Sequence, residues 1–266
     1  MRIIINADDL GLTHESNMGI AECFERGFVT QTTLVANSPW AEEGAAIAHE
    51  RGFADRVGLH FNLKECPPLT KAIAELPKYV RDGELWYDPA YMKKETYGMS
   101  PLLTYVESYL EEGFAAEVEA IRQEFAAHVE RFRQLGFALD HVDSHNNAFV
   151  DLPTWLAVRP VVAEVGFRTM RCTFDSFGTD DLYNEVYRAW LVAERAKLGL
   201  KTTDFSGSVT RFGKRRAELP EDCLAEIYVH PIKVGGQLID NFTGGLLIED
   251  QVATLEGLER TSFFEL

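Results

Sequence analysis

The fold class is decided by residues 1–12, which read MRIIINADDLGL. Residues 3–6 combine three isoleucines with an asparagine, a pattern typical of a short buried strand. Asp8 and Asp9 follow directly, and from Glu15 the apolar residues recur at helical spacing until Gly27. A buried strand followed by a helix is the unit of parallel α/β folds, so these residues predict that class.

The rest of the chain repeats this alternation. Strands are predicted at residues 29–35, 57–63, 139–143, 168–174 and 225–229. Helices are predicted at residues 41–51, 103–135 (one helix or two, broken at Gly113), 153–165 and 185–198, and the tail from Gly235 is Gly-rich at first and then weakly helical. The pattern predicts one α/β domain over residues 1–266, a TIM-barrel-like (β/α) barrel, complete or incomplete or distorted. An open doubly wound sheet is the alternative.

Composition and charge restrict the partners. The chain has 266 residues, of which 46% are hydrophobic, and 26 Lys and Arg stand against 42 Asp and Glu, a formal charge of -16. Such a surface repels phosphate, so we expect no nucleic acid and no anionic membrane as partner. Four cysteines without a CxxC pair predict reduced thiols and a cytoplasmic protein. The oligomeric state, monomer or homodimer, is open.

Polar side chains follow four of the predicted strands, at the edge where both candidate folds place their chemistry. Taken singly, each has an ordinary explanation: a pair of aspartates can begin a helix, and a lone histidine can be a hydrogen-bonded core residue. Their convergence on one edge favours a functional site. These residues are Asp8 and Asp9, His60, the run His141-Val142-Asp143-Ser144-His145, and His230.

One carboxylate and two imidazoles from three strand ends, Asp9, His60 and His145, can hold one divalent metal ion. Mg²⁺ and Zn²⁺ are both candidates. Such an ion polarises a carbonyl and lowers the pKa of water, and Asp8 and His230 would then serve as base and acid. The sequence lacks the GxSxG, P-loop and GxGxxG motifs, so metal-assisted hydrolysis is the chemistry predicted.

Four further residues are candidates with open alternatives. Arg171 is either a surface residue or an arginine that keeps Asp8 ionised. The aromatic-rich segment at about 76–105 is either a substrate-binding lid loop, with Trp86 against a sugar ring, or a satellite cluster packed over the barrel. Asn62 and His141, at two of the strand ends, are candidates for substrate contact.

At these same residues the sequence resembles the YdjC-like (ChbG-type) carbohydrate deacetylases. The matching stretches, in the family's order, are residues 6–12, 29–37, 58–63, 141–145 and 230–231. The resemblance implies a (β/α) barrel-like fold and removal of an N-acetyl group from an amino sugar, typically in a chitin-derived oligosaccharide. It also implies that Asp9, His60 and His145 hold the metal and that Asp8 is the general base. His230 is the acid by analogy with the wider polysaccharide deacetylases.

The sequence departs from the family after residue 145, where Asn146, Asn147 and Phe149 replace further histidines, and at the C-terminal end. These departures leave two competing hypotheses. The chain could be a non-catalytic barrel that binds a sugar or a metal. It could also be a metallohydrolase that acts on another amide or on a phosphoester.

Overall fold

The structure is a computed structural model that describes residues 1–87, 109, 110, 112–171 and 182–266. Its strands are β1 (Arg2–Leu10), β2 (Gln31–Leu34), β3 (Val57–Phe61), β4 (Val80–Arg81), β5 (Glu84–Leu85), β6 (His141–Ser144), β7 (Thr169–Met170), β8 (Phe205–Ser208), β9 (Leu224–Val229), β10 (Pro231–Val234), β11 (Gln237–Asp240), β12 (Leu246–Leu247) and β13 (Glu259–Arg260). Its helices are α1 (His14–Glu25), α2 (Ala41–Glu50), α3 (Lys71–Ala74), α4 (Phe114–Gln134), α5 (Leu152–Val165), α6 (Leu182–Lys197), α7 (Val209–Arg215) and α8 (Ile248–Ala253).

The main sheet is parallel and has the order β7-β6-β3-β2-β1-β9-β8, with β1 near its centre. β1 pairs with β9 along most of its length, from Arg2 opposite Leu224 to Ala7 opposite Val229. A bridge between Thr169 and Lys201 brings the β7 edge next to the segment that leads into β8. The sheet is therefore curled into an incompletely closed barrel, and the predicted α/β, TIM-barrel-like (β/α) architecture is confirmed.

Alternation along β1 sorts the interior of the barrel into layers, since every second side chain points inward. At the bottom, Ile4 packs with Leu224 and Phe263 from the C-terminal 3₁₀ turn, while Ile3 and Ile5 belong to the outer core under the helices. Above Ile4 the inward residues of β1 become polar. The interior of the barrel is thus apolar at the floor and polar in its upper half.

The tail contains a small sheet that the sequence did not indicate. From Pro231 the chain forms a small antiparallel sheet of β10, β11 and β12 before the short helix α8. Gly235 and Gly236 form the two-residue β10–β11 turn, both at positive φ, which this hairpin geometry requires. The Gly-rich start of the tail thus contains strands that the sequence did not indicate, and the helical part that follows corresponds to α8. β13 then joins the main sheet beside β1, opposite Arg2 and Ile3.

Two further features bear on the sequence predictions. Among the described helices, none combines the length and the apolar character that a membrane crossing needs. Cys23, Cys66 and Cys223 are free thiols. The predictions of a single domain and of a cytoplasmic location stay predictions.

Candidate active site

A β-bulge near the end of β1 turns two adjacent carboxylates toward one place. Four residues of β1, from Ala7 to Leu10, face only three of β2, from Thr32 to Leu34, and Asp9 lies at φ 75° in the left-handed region. Adjacent strand residues normally point to opposite faces, so the bulge is what brings Asp8 and Asp9 to the same side. Ser16 secures it from α1, because its hydroxyl donates to the carbonyl of Asp9 at 2.9 Å.

Asp9, His60 and His145 meet at the mouth of the barrel. Oδ1 of Asp9 lies 2.9 Å from Nδ1 of His145 and 3.3 Å from Nε2 of His60. One ligand atom from each of the three residues fits within 4.8 Å, and all three residues are buried. Nε2 of His60 is buried without a hydrogen-bond partner. Buried polar atoms in protein cores usually have such a partner. An aimed, unpartnered imidazole nitrogen beside a carboxylate fits a divalent cation.

His60 is held in place from behind. Its Nδ1 lies 2.6 Å from Oδ1 of Asp143 and 3.1 Å from the hydroxyl of Thr33. A carboxylate on the far nitrogen fixes the tautomer and the ring orientation of a metal-binding histidine. The sequence placed Asp143 in the cluster, but the pairing of Asp143 with His60 was not foreseen, because it depends on the β3–β6 register, in which His60 lies opposite Asp143.

The protonation of these groups reflects their mutual charges. Burial lowers the pKa of His60 and His145, yet neighbouring carboxylates outweigh it and raise these pKa values to about 10 and about 9. Asp143 is the main such neighbour of His60, and Asp9 that of His145. Burial raises the pKa of Asp9, but the two imidazoles hold it well below its usual range. The metal-free site thus balances its carboxylates with protons that a cation can replace.

Arg171 lies inside the barrel, only 3% exposed, so it is not a surface residue. Its guanidinium binds Asp8 through two bonds of 2.7 and 2.6 Å and contacts Asp143 at 2.9 Å. Burial opposes its charge, yet the surrounding carboxylates raise the pKa of Arg171 well above its usual value. This placement fits the hypothesis that Arg171 keeps Asp8 ionised and oriented.

Glu226 completes this buried cluster and was missed in the sequence. Its Oε1 accepts from Nε of Arg171 at 2.9 Å, and its Oε2 accepts from the hydroxyl of Ser206 at 3.0 Å. Burial raises the pKa of Glu226 to about 7. The signal was a single charge within the otherwise apolar strand β9, Leu-Ala-Glu-Ile-Tyr-Val.

His230 follows β9, and its ring lies near the carboxylate of Asp8. Its Nε2 lies 3.7 Å from Oδ2 of Asp8. Asp8 accepts three close bonds, two from Arg171 and one from the amide of Asn6 at 2.6 Å, and two of these three go to Oδ1. The remaining acceptor capacity of Asp8 is therefore mainly on Oδ2, the oxygen nearest His230.

Asn62 and His141 are both fully buried. Asn62 orders the loop after β3: it donates to the carbonyl of Glu65 at 2.6 Å and accepts from the amide of Lys64 at 2.8 Å. His141 stacks on Phe263 with ring centroids 4.0 Å apart, and burial lowers its pKa to about 3. The structure thus places His141 next to the floor of the barrel. The side chain of Asn62 forms hydrogen bonds with the backbone of its own loop.

Trp86 is 45% exposed, but cations lie over its ring: Nζ of Lys64 at 4.6 Å and the guanidinium of Arg81 at 4.8 Å. In the adjoining part of the predicted lid loop, Tyr79 and Tyr87 are buried and stacked at 4.5 Å, which fits a satellite cluster. Residues 88–105 of that loop lie outside the described residues, so the lid stays a prediction.

The departures at residues 146–149 have local structural explanations. Asn146 and Asn147 both take the left-handed conformation, at φ 48° and 51°, which asparagine tolerates better than most residues. Phe149 is buried against Phe61 and Phe125. Phe149 is thus a core residue rather than a group that faces a ligand.

Comparison with known proteins places this chain in a family. The family model described as YdjC-like protein matches residues 2–244. The chain belongs to this family. The resemblance found in the sequence is thereby confirmed.

Individual relatives extend the comparison. A carbohydrate deacetylase of Vibrio campbellii is 29% identical over 196 residues, which cover 70% of this chain and 67% of the relative. A chitooligosaccharide deacetylase of Proteus mirabilis is 32% identical over 163 residues, covering 61% and 54%. The chain thus matches between about half and two thirds of the length of these relatives.

A solved structure shares the fold. It is that of an Enterococcus faecalis protein assigned provisionally to cellobiose-phosphate cleavage, and it matches with a TM-score of 0.66 at 18% identity. The match covers 99% of this chain and 98% of the other. At this identity the likeness concerns the fold alone.

Proposed function

We propose that the protein is a metal-dependent hydrolase that removes N-acetyl groups from amino sugars, in particular from chitin-derived oligosaccharides. The observation that carries the proposal is the buried set Asp9, His60 and His145 beside the Arg171–Asp8 pair, within a chain of the YdjC-like family. The carbohydrate deacetylases among its relatives support the acetylated sugar as substrate.

In this proposal Asp9, His60 and His145 hold one divalent ion, either Mg²⁺ or Zn²⁺. When bound, such an ion polarises the acetamide carbonyl and favours attack by water. The unpartnered Nε2 of His60 and the carboxylate of Asp9 are the atoms best prepared to bind it. Asp143 and Thr33 keep the His60 ring pointed at that position.

Asp8 is the proposed general base. Its bonds to Arg171 keep the carboxylate ionised and fixed, and Oδ2 retains capacity to accept a proton from the attacking water. His230, partly exposed and 3.7 Å from Asp8, is the proposed acid that protonates the leaving amine. Arg171 touches Asp8 and two other carboxylates, so it acts in this scheme by positioning the base.

The remaining predictions accompany this function. The proposed partner is a small N-acetylated sugar or oligosaccharide, with no nucleic acid and no membrane, in a cytoplasmic protein of one domain; a homodimer is open. The net charge of -16 supports neutral or cationic ligands over phosphorylated ones. The same charge disfavours a phosphoester as the substrate.

The test is acetate release from N-acetylglucosamine and its oligomers, before and after chelation, with Mg²⁺ or Zn²⁺ added back. We expect release that stops on chelation and returns with one of the two metals. Metal binding, followed separately by calorimetry, should be lost in His60→Ala and kept in the exposed control His14→Ala. Release that survives exhaustive chelation would refute the metal mechanism, and sugar binding without turnover would favour the non-catalytic barrel.

A further inference from the structure

A phenylalanine that no motif indicated lies beside the proposed acid. Phe242 follows β11, and the β10–β11 hairpin returns the chain to the point where β9 ends, so that the amide of Asn241 donates to the carbonyl of His230 at 2.9 Å. The rings of Phe242 and His230 are stacked, with centroids 5.1 Å apart and planes 28° apart. Phe242 is therefore brought beside the last family motif by the fold, although it lies outside that motif in the sequence.

Phe242 is exposed although its backbone is firmly held. Of its surface, 63% is exposed, while its amide donates to Oδ1 of Asp240 at 3.0 Å. Asp240 is buried and also accepts from the side chain of Gln251 at 3.2 Å and from the amide of Gly245 at 3.0 Å. Removing a large apolar ring from contact with water is favourable. A fixed turn that presents such a ring beside the proposed acid offers a surface that a ligand can cover.

The chemistry of the ring selects the ligand. A pyranose presents an apolar face of C–H groups, and an aromatic ring fixed in a turn can cover that face at little entropic cost. Trp86 has the larger ring, but Lys64 and Arg81 already lie over it. Among the described aromatic rings, His230 stacks on the ring of Phe242. Tyr228 contacts the same ring edge-on, with the two planes 76° apart.

We propose that Phe242 is the stacking platform for the pyranose ring that carries the reacting acetamido group. The inference rests on the proposed function, because the acetamido nitrogen must lie at His230 for its sugar ring to reach Phe242. The platform makes the site selective for N-acetylated sugars over acyclic N-acetyl amines. Phe242 is thus a specificity-determining residue, and Trp86 is not required for binding.

The test compares Phe242→Ala with Phe242→Trp, with Leu246→Ala, an exposed apolar residue of the same small sheet, and with Trp86→Ala. Initial rates with N,N'-diacetylchitobiose give kcat and KM. Calorimetry with the same sugar in an Asp8→Asn background gives Kd without turnover. We expect Phe242→Ala to raise KM and Kd about tenfold with little change in kcat. Phe242→Trp should restore both constants, and Leu246→Ala and Trp86→Ala should match the wild type.

Three results would overturn the platform: unchanged KM and Kd in Phe242→Ala, a fall in kcat alone, which would mean that Phe242 only supports His230, or no binding of the disaccharide by the wild type. The experiment tests the role of Phe242 separately from the proposed function. Binding that depends on Phe242 without acetate release would remove the hydrolase and keep the platform. Acetate release with unchanged KM in Phe242→Ala would support the hydrolase and refute the platform.

Discussion

At the scale of single residues, the two adjacent carboxylates Asp8 and Asp9 have different surroundings and should have different roles. Asp9 faces the two imidazoles, whereas Asp8 is bound by Arg171. We expect Asp9→Asn to weaken metal binding strongly, because a neutral amide is a poor ligand for a divalent ion. Asp8→Asn should keep the metal and lower kcat by about 10²–10⁴-fold, the usual contribution of a positioned base. Elemental analysis and kcat of each variant decide the assignment.

The opposite pattern, a metal-free Asp8 variant and a metal-replete Asp9 variant, would exchange the two roles. Asp55→Asn is a suitable control, because its side chain is exposed and lies before β3, away from the site. It should leave both metal content and kcat unchanged.

At the scale of elements, the helix α4 fixes the loop that follows β3. Glu124 of α4 is fully buried and accepts three bonds from that loop: the amides of Leu69 and Thr70 at 2.7 and 2.8 Å, and the hydroxyl of Thr70 at 2.7 Å. Glu124→Ala leaves these donors without a partner and should lower the free energy of unfolding by about 3 kcal/mol. Urea denaturation measures the change. Glu130→Ala, on the exposed side of the same helix, should change it by less than about 0.5 kcal/mol, and equal losses in both variants would contradict the anchoring.

The sequence predicted β1, β2, β3, β6, β7 and β9 of the main sheet from short stretches that contain apolar or β-branched residues. It also predicted which strand ends bring polar side chains together at the mouth of the barrel. It missed β8, Phe-Ser-Gly-Ser, because the serines and the glycine give no apolar pattern. The pairing of Arg171 with Glu226 joins the residue that follows β7 to a residue of β9, so it depends on how the sheet curls rather than on local sequence. The bulge at Asp9 was not predicted for the same reason, because a register shift involves the neighbouring strand as well.

At the scale of the whole molecule, pH should change how strongly metal stabilises the fold. In the metal-free fold the pKa values of His60 and His145 are about 10 and about 9, above the ordinary 6.5. Protonation of these histidines therefore stabilises the metal-free fold fully below about pH 6.5, and this contribution is lost as the pH rises through 9 and 10. Metal needs the neutral imidazoles, so its affinity rises over the same range.

We therefore expect the difference in Tm between metal-loaded and chelated protein to widen from about pH 6.5 to about pH 9. Thermal unfolding at several pH values, with metal or with chelator, measures it. His14→Ala, which removes an exposed histidine, should show the same widening as the wild type. A difference that stays constant or narrows as the pH rises would show that the two histidines do not bind the ion.

The central position of β1 also has a consequence for the folding reaction. This strand begins at Arg2, yet its neighbours β9 and β13 come from the last part of the chain, with Arg2 opposite Leu224 and Glu259. Such contacts between distant parts of a chain must overcome a large loop-closure entropy and form slowly. During synthesis on the ribosome, the strand that bears Asp8 and Asp9 waits for β9 to emerge before its ladder closes. Closure of the buried cluster in which Arg171 joins Asp8 to Glu226 of β9 should therefore be a late event in folding that reports the completed native sheet.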